Sequence, residues 1–293
     1  MDTKLVSAII TTHNRVQLLQ RAIESVLTQT YKNIECIVVD DSSTDDTKAL
    51  CGKYPIHYIY IPKEESHGGN YARNIGIKLS KGEYCAFLDD DDYWLEDKIK
   101  KQVELLEQTD SILVYCGRIL ECVDKDKNVT YGELFPRKYN RGEMSKKILL
   151  SICTTTSCIL VKRDALIKVG CFDECLNFWQ EYEMTIRLAQ IGKFEFTREK
   201  LCIYRKDVSD KNRLTNKYYE WINSVRYIYE THKKKYDNLN CLDKLYVRKT
   251  FYGDASGRAK RCGLKLIYLR NKMIYLLNAY TAKFLELSGL YRL

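Results

Sequence analysis

Phe87-Leu88-Asp89-Asp90-Asp91-Asp92-Tyr93-Trp94 sets four consecutive carboxylates directly after an apolar run, Tyr84-Cys85-Ala86-Phe87-Leu88, which reads as a buried strand bounded by Lys81-Gly82-Glu83. Acids packed at a strand end repel one another unless water, a cation or hydrogen-bond donors offset the charge. A hard divalent cation such as Mn2+ or Mg2+ suits such a place, because it takes carboxylate oxygens and commonly completes its shell with substrate phosphates. The ordinary outcome for an isolated acidic run is a solvated loop. The flanking sequence decides between the two.

Upstream, Leu5-Val6-Ser7-Ala8-Ile9-Ile10-Thr11-Thr12 is a continuous apolar, β-branched run, the pattern of a strand buried on both faces of a parallel sheet. A helix follows, with Asn14 placed to cap it and Leu18, Leu19, Ala22, Ile23, Val26 and Leu27 at helical spacing. Ile34 to Asp41 is a second strand ending in acids, and the polar residues from Ser42 to Thr47 offer caps for the next helix. Ile56 to Ile61 reads as a third strand, and Asn70 to Leu79 as a helix entered through Gly68-Gly69. Downstream, Ile112 to Cys116 and Ser157 to Val161 read as further strands separated by a polar segment, Asp124 to Arg141. Strands alternating with helices in short units predict an α/β fold, a mainly parallel, Rossmann-like sheet flanked by helices, with its site at the carboxyl ends of the strands. Asp92 is placed to cap a helix that begins near Trp94 to Asp97.

Composition narrows the class. The 293 residues are 45% hydrophobic, with only 3 Pro and 14 Gly, which supports a folded core and excludes fibrous and disordered proteins. The 12 Cys are scattered without a CxxC pair and no secretory signal is evident, so reduced thiols and a cytoplasmic location are expected. From Lys206 onward there are 19 Lys/Arg against 8 Asp/Glu, a surplus of 11, whereas the net charge of the whole chain is +9. The basicity therefore belongs to the tail, which points it toward an anionic surface.

Four segments in order resemble a family 2 glycosyltransferase of GT-A fold: Ser7 to Arg15, Val38 to Asp45, Gly68-Gly69-Asn70-Tyr71-Ala72-Arg73-Asn74, and Phe87 to Asp92. Gly170 to Glu174, Gln180-Glu181-Tyr182-Glu183 and Tyr204-Arg205 continue the resemblance, which covers roughly residues 5–205. The chain then divides into a nucleotide-sugar-binding catalytic domain, 1–205, and a basic, Tyr-rich helical region, 206–293. The resemblance implies a nucleotide site at Thr11, His13, Arg15 and Asp41, with Asp40 orienting the loop. It implies that Arg73 and Arg205 reach the diphosphate, where a guanidinium suits phosphate geometry. The family pattern is Asp-x-Asp, and an all-Asp run leaves its register open. Placed on Asp89 to Asp91, it makes Asp91 the ligand of Mn2+ or Mg2+, Asp90 a ribose or sugar contact and Asp89 a supporting acid. The acceptor's base falls on Glu181, where the family usually carries Glu-Asp in place of Gln-Glu; Glu183 is the competitor. Inversion at the sugar follows from a base on the face opposite the leaving group.

The partners so implied are a nucleotide-sugar donor, preferably a UDP-sugar, and a glycan or polyprenyl-linked acceptor of surface polysaccharide synthesis such as a capsule. In the tail, Leu264 to Leu287 is apolar over most of its circumference, with Lys265, Lys272, Lys283 and Glu286 in one sector. It is too often interrupted by charge to span a bilayer, and packing within the protein, a homo-oligomer and peripheral contact with the inner face of the cell membrane through 264–287 all fit it. A sugar-nucleotide nucleotidyltransferase is a weaker reading, because Thr11-Thr12-His13-Asn14-Arg15 lacks the Gly-rich phosphate loop such enzymes need. A nucleic-acid-binding protein is weaker again, because the acidic strand ends would repel phosphate.

Overall fold

Strand β1 (Val6–Thr12) is buried along nearly its whole length, and the sheet grows outward from it in both directions. The computed structural model describes residues 3–208 and 217–288. Beyond β1, the strands are β2 (Ile34–Asp41), β3 (His57–Ile61), β4 (Tyr84–Asp89), β5 (Tyr93–Trp94), β6 (Ser111–Val123), β7 (Val129–Leu134), β8 (Ile159–Lys162) and β9 (Lys193–Asp207). Their order is β3-β2-β1-β4-β8-β6-β9-β5, with β7 paired to β6. The first four strands run parallel. β8 then enters antiparallel to both β4 and β6, while β9 runs parallel to β6 over its length with three register shifts.

Helices α1 (Val16–Leu27), α2 (Thr47–Cys51) and α3 (Gly69–Leu79) cross between the parallel strands. The apolar stripe of α1, Leu19, Ala22, Ile23 and Val26, packs on Val6, Ala8 and Ile10 of one sheet face. The opposite face packs α3, and there Gly76 is required by the close approach: a Cβ would lie 2.5 Å from Ile9 Cγ2. The chain goes outward from β1 to β2 and β3, then returns to lay β4 on the other flank of β1. This reversal falls between β1 and β4, and the carboxyl ends of the strands at such a point are where open α/β sheets bind ligands.

The remaining helices are α4 (Lys98–Gln108), α5 (Lys147–Leu150), α6 (Arg163–Val169), α7 (Gln180–Leu188), α8 (Tyr218–Thr231), α9 (Lys233–Asp237), α10 (Cys241–Arg261) and α11 (Lys265–Leu287). The chain divides into two compact units. The first comprises Met1–Met144, Thr154–Leu176 and Gln180–Ser209; the second, Ser145–Cys153, Asn177–Trp179 and Asp210–Leu293. The second unit is helical and is centred on Trp221, which is fully buried and stacks on Phe251 at 5.5 Å. Its α10 and α11 form a hairpin turned at Gly263, whose φ of 71° is the left-handed conformation that favours glycine.

Two capping expectations are corrected. Asn14 does not cap α1: Arg15 stands at the N-cap, and Asp45 supplies the acceptor for the Val16 amide at 3.0 Å. Asn14 instead adopts φ 52° and ties β1's exit to the next loop, its amide donating to Ser43 Oγ and its Oδ1 accepting from the Thr44 amide. Nor does Asp92 cap a helix, since α4 begins at Lys98 with Asp97 at its N-cap. The polar segment 124–141 also carries structure, because β7 forms a hairpin with β6.

Candidate active site

The parallel register brings the predicted residues to one edge. Thr11 lies opposite Asp89 on one flank and Val39 on the other, and Thr12 opposite Asp40. The ends of β1, β2 and β4, with the loops that leave them, therefore converge at this edge of the sheet.

Alternating burial is the main feature of the acidic run. Asp90 and Asp92 point into the protein, and Asp89 and Asp91 outward with side chains 31% and 21% exposed. Asp90, expected to touch ribose or sugar, accepts from Thr12 Oγ1 at 2.8 Å and pairs with Arg15 Nη1 at 3.1 Å. Its carboxyl is pushed up to about 7, chiefly by burial and in part by Asp91, against the lowering effect of Arg15 and Thr12. Asp92 is wholly buried and accepts hydrogen bonds from Ser157 Oγ at 2.6 Å and from the Arg205 amide at 2.9 Å. Burial holds its carboxyl well above the usual range, and Asp91 and Asp89 add to that. Outward, Asp89 pairs with Arg73 Nη2 at 2.6 Å, and Asp91 lies 3.5 Å from Arg15 Nη1.

Arg73 is itself held from behind. Asn70 Oδ1 accepts from its Nη1 at 3.1 Å, and Asn70 Nδ2 donates to the carbonyls of Asp173 and Leu176, so the loop before α7 is bound to α3. Asn74 repeats the tie through Phe172 and Glu174. Glu181 stands in the first turn of α7 and keeps part of its surface in water. Its carboxyl is raised above the ordinary value, first by burial, and Asp89 raises it while Arg73 and Arg118 lower it. Glu183 is committed elsewhere: it is buried and pairs with Arg187 at 2.6 Å.

At β2, Asp40 accepts from the Ser43 amide and from Tyr58 Oη, which orients the loop. Asp41 Oδ1 is buried without a hydrogen-bond partner, and the Asp41 carbonyl meets His13 Nδ1 at 2.5 Å. Arg205 lies against Asp207 and Glu121, 3.1 and 3.8 Å away. Glu121 also receives Tyr93 Oη and Arg21, and Arg21 reaches the Asp91 carbonyl at 3.3 Å. Thr12 and Asn70 lie inside the sequence motifs, whereas no local pattern points Arg21, Glu121 or Ser157 to these particular partners.

The family model for glycosyl transferase family 2 matches residues 7–170, more than half of the chain. The chain belongs to glycosyl transferase family 2. The transferase is 32% identical to the uncharacterized glycosyltransferase RT0329 of Rickettsia typhi, over 74% of this chain and 69% of that one. It is 40% identical to the Escherichia coli UDP-Glc:alpha-D-GlcNAc-diphosphoundecaprenol beta-1,3-glucosyltransferase WfaP, over 49% of this chain and 56% of that one. Its fold is similar to that of the mannosyltransferase PcManGT from Pyrobaculum calidifontis, solved with GDP-Man and Mn2+, with a TM-score of 0.61 at 16% identity over 97% of this chain and 87% of that one.

The corrected place of Asp92 changes what its loss would do to the transferase. Asp92→Ala leaves the Ser157 hydroxyl and the Arg205 amide without their acceptor, an expected cost of about 2–4 kcal/mol. Thermal unfolding should show Tm lowered by roughly 5–15 °C. An unchanged Tm would mean that this carboxylate does not tie the acidic loop to β9.

Proposed function

We propose that this transferase moves a sugar from a UDP-sugar to a hydroxyl of a glycan or lipid-linked acceptor in surface polysaccharide synthesis, with inversion. The observation that carries the reading is the convergence of Arg73, Asp89 and Glu181. Arg73, a cation suited to the diphosphate and paired with Asp89 at 2.6 Å, acts through its charge on the Glu181 carboxyl, whose raised pKa makes it a better proton acceptor near neutral pH. Glu181 takes the acceptor's proton, the acceptor oxygen attacks the anomeric carbon, and the bond to the diphosphate breaks with its electron pair leaving on UDP. Arg73, Arg15 and Arg205 line the side on which negative charge accumulates. Thr11, His13 and Asp41 cradle the nucleotide, and the partnerless Asp41 oxygen suits the single imide N–H of uracil. Asp90 acts from beneath, through Arg15 and Thr12.

No cluster of three or more His, Cys, Asp or Glu able to hold an ion occurs among the described residues. Asp90 and Asp92 face inward, whereas Asp89 and Asp91 face outward, Asp89 against Arg73 at 2.6 Å and Asp91 against Arg15 at 3.5 Å, and of these two outward acids we assign the ion to Asp91. This set fits an ion held through Asp91 and the donor's own phosphates, not a protein cage. Bound there, Mn2+ or Mg2+ would supply Lewis-acid stabilisation of the leaving diphosphate.

A thermal-shift panel of UDP, GDP and ADP, with and without Mn2+, tests the donor reading. UDP at a hundredfold excess over its Kd should raise Tm by about 5–10 °C, with Mn2+ strengthening the effect and Asp41→Ala removing the preference for uridine. Stabilisation by GDP alone would overturn the uridine assignment, and no stabilisation by any nucleotide would overturn the donor site.

A further inference from the structure

Helix α11 is amphipathic in the inverted sense. Its buried residues are Asn271, Asn278 and Ala282, while Leu266, Met273 and Phe284 are 83%, 68% and 66% exposed. At about 100° per residue, these three with Leu269, Leu277 and Tyr280 fill an arc roughly 80° wide, nearly opposite the buried face. The spacing explains the buried side: Asn271 donates to Tyr218 Oη, Asn278 to its own helix, and Ala282 allows α10 to approach. The outward side has no such account within its unit, and monomeric proteins seldom leave so long an apolar stripe in water.

Charge identifies the occupant. Lys265, Lys272 and Lys283 run along one margin of the stripe and Arg270 along the other, and the helix's one acid, Glu286, accepts from Tyr246 Oη at 2.7 Å. A second copy packed in parallel on this stripe would set Lys265 against Arg270 with no acid between them, the reverse of the charge pairing that coiled coils use. An anionic bilayer meets both features at once: acyl chains take the stripe, and headgroups take the cations on its margins. No helix among the described residues is long and apolar enough to cross a membrane, so the contact is one of lying on the surface. We propose that the outward face of α11 docks the protein onto an anionic lipid surface. The proposal is independent of which donor or acceptor the active site takes.

Flotation of the full chain with vesicles tests it. The protein should rise with vesicles of phosphatidylcholine and phosphatidylglycerol and do so far less with phosphatidylcholine alone. Leu269→Glu, Met273→Glu and Leu277→Glu together should reduce the floating fraction at least tenfold while Tm and the nucleotide thermal shift stay at wild-type values, which separates this failure from failure of the donor site. Each of Lys265→Gln, Lys272→Gln and Lys283→Gln should weaken anionic partitioning about fivefold. The proposal is overturned if the full chain fails to float with anionic vesicles, or if the triple variant floats as well as the wild type. It is also overturned in favour of a second copy if sedimentation shows a dimer that Met273→Glu dissociates and no flotation occurs.

Discussion

Glu181→Gln is expected to lower kcat by about 10³–10⁴-fold, the upper part of the range for removing a general base, while the nucleotide thermal shift survives. Gln keeps the shape and hydrogen-bonding reach of the side chain but cannot take the acceptor's proton. The pH profile supplies an independent readout. Because burial and Asp89 raise the Glu181 carboxyl above its ordinary value of 4.5, the acid limb of kcat should be displaced upward from that value, with activity lost as pH falls through the raised pKa. Stability has the opposite sign. A folded-state pKa above the unfolded one means that the folded chain binds more protons, so the contribution of Glu181 is lost as pH rises through the folded pKa. Glu181→Gln removes that loss, and above this window the variant should unfold no earlier than the wild type. A variant that is inactive and also markedly less stable would show that Glu181 is a packing residue. A product of retained anomeric configuration, seen by NMR, would remove the role of Glu181 as base in a single displacement.

The second large effect is at Asp91. Asp91→Asn should reduce kcat/KM by on the order of 10³-fold, the several kcal/mol of charge stabilisation that a divalent ion supplies, and should abolish the Mn2+ enhancement of UDP binding. The change is nearly isosteric at a side chain that is partly exposed, so Tm should stay close to the wild-type value. Asp92→Ala gives the complementary pattern, a large fall in Tm caused by lost ties to Ser157 and Arg205. Equal loss of turnover with equal loss of Tm in both variants would show that the outward acid has been misassigned.

What could be read from residues alone follows a physical division. β1, β2 and β4 are buried on both faces, so their apolar runs are continuous and unmistakable, and the Gly68-Gly69 entry to α3 is a local signal. β5 has two residues and exists because Tyr93 and Trp94 pair with Ile203 and Cys202, more than a hundred positions away. β7 alternates weakly because most of it is exposed. The same division separates the acids. The capping role expected for Asp92 used only its neighbours in sequence, whereas its partners are 65 and 113 residues distant. The alternation of inward and outward carboxylates cannot be seen in a run of identical letters, and neither can Glu121, whose partners come from α1, β5 and β9.

The clamp on Asp92 has a consequence in time. Its second donor is the amide of Arg205, near the end of β9, and a chain made at roughly 5–20 residues per second emerges on the order of ten seconds between the two. Until β9 arrives beside β6, the four acids of a nascent chain have only part of their scaffold, and Asp92 lacks the enclosure that holds its pKa high. An arrested or truncated product ending near residue 170 would carry the first four motif segments and still lack both Glu181 and the strand that completes the loop. A site built this way cannot be complete before both α7 and β9 have been made.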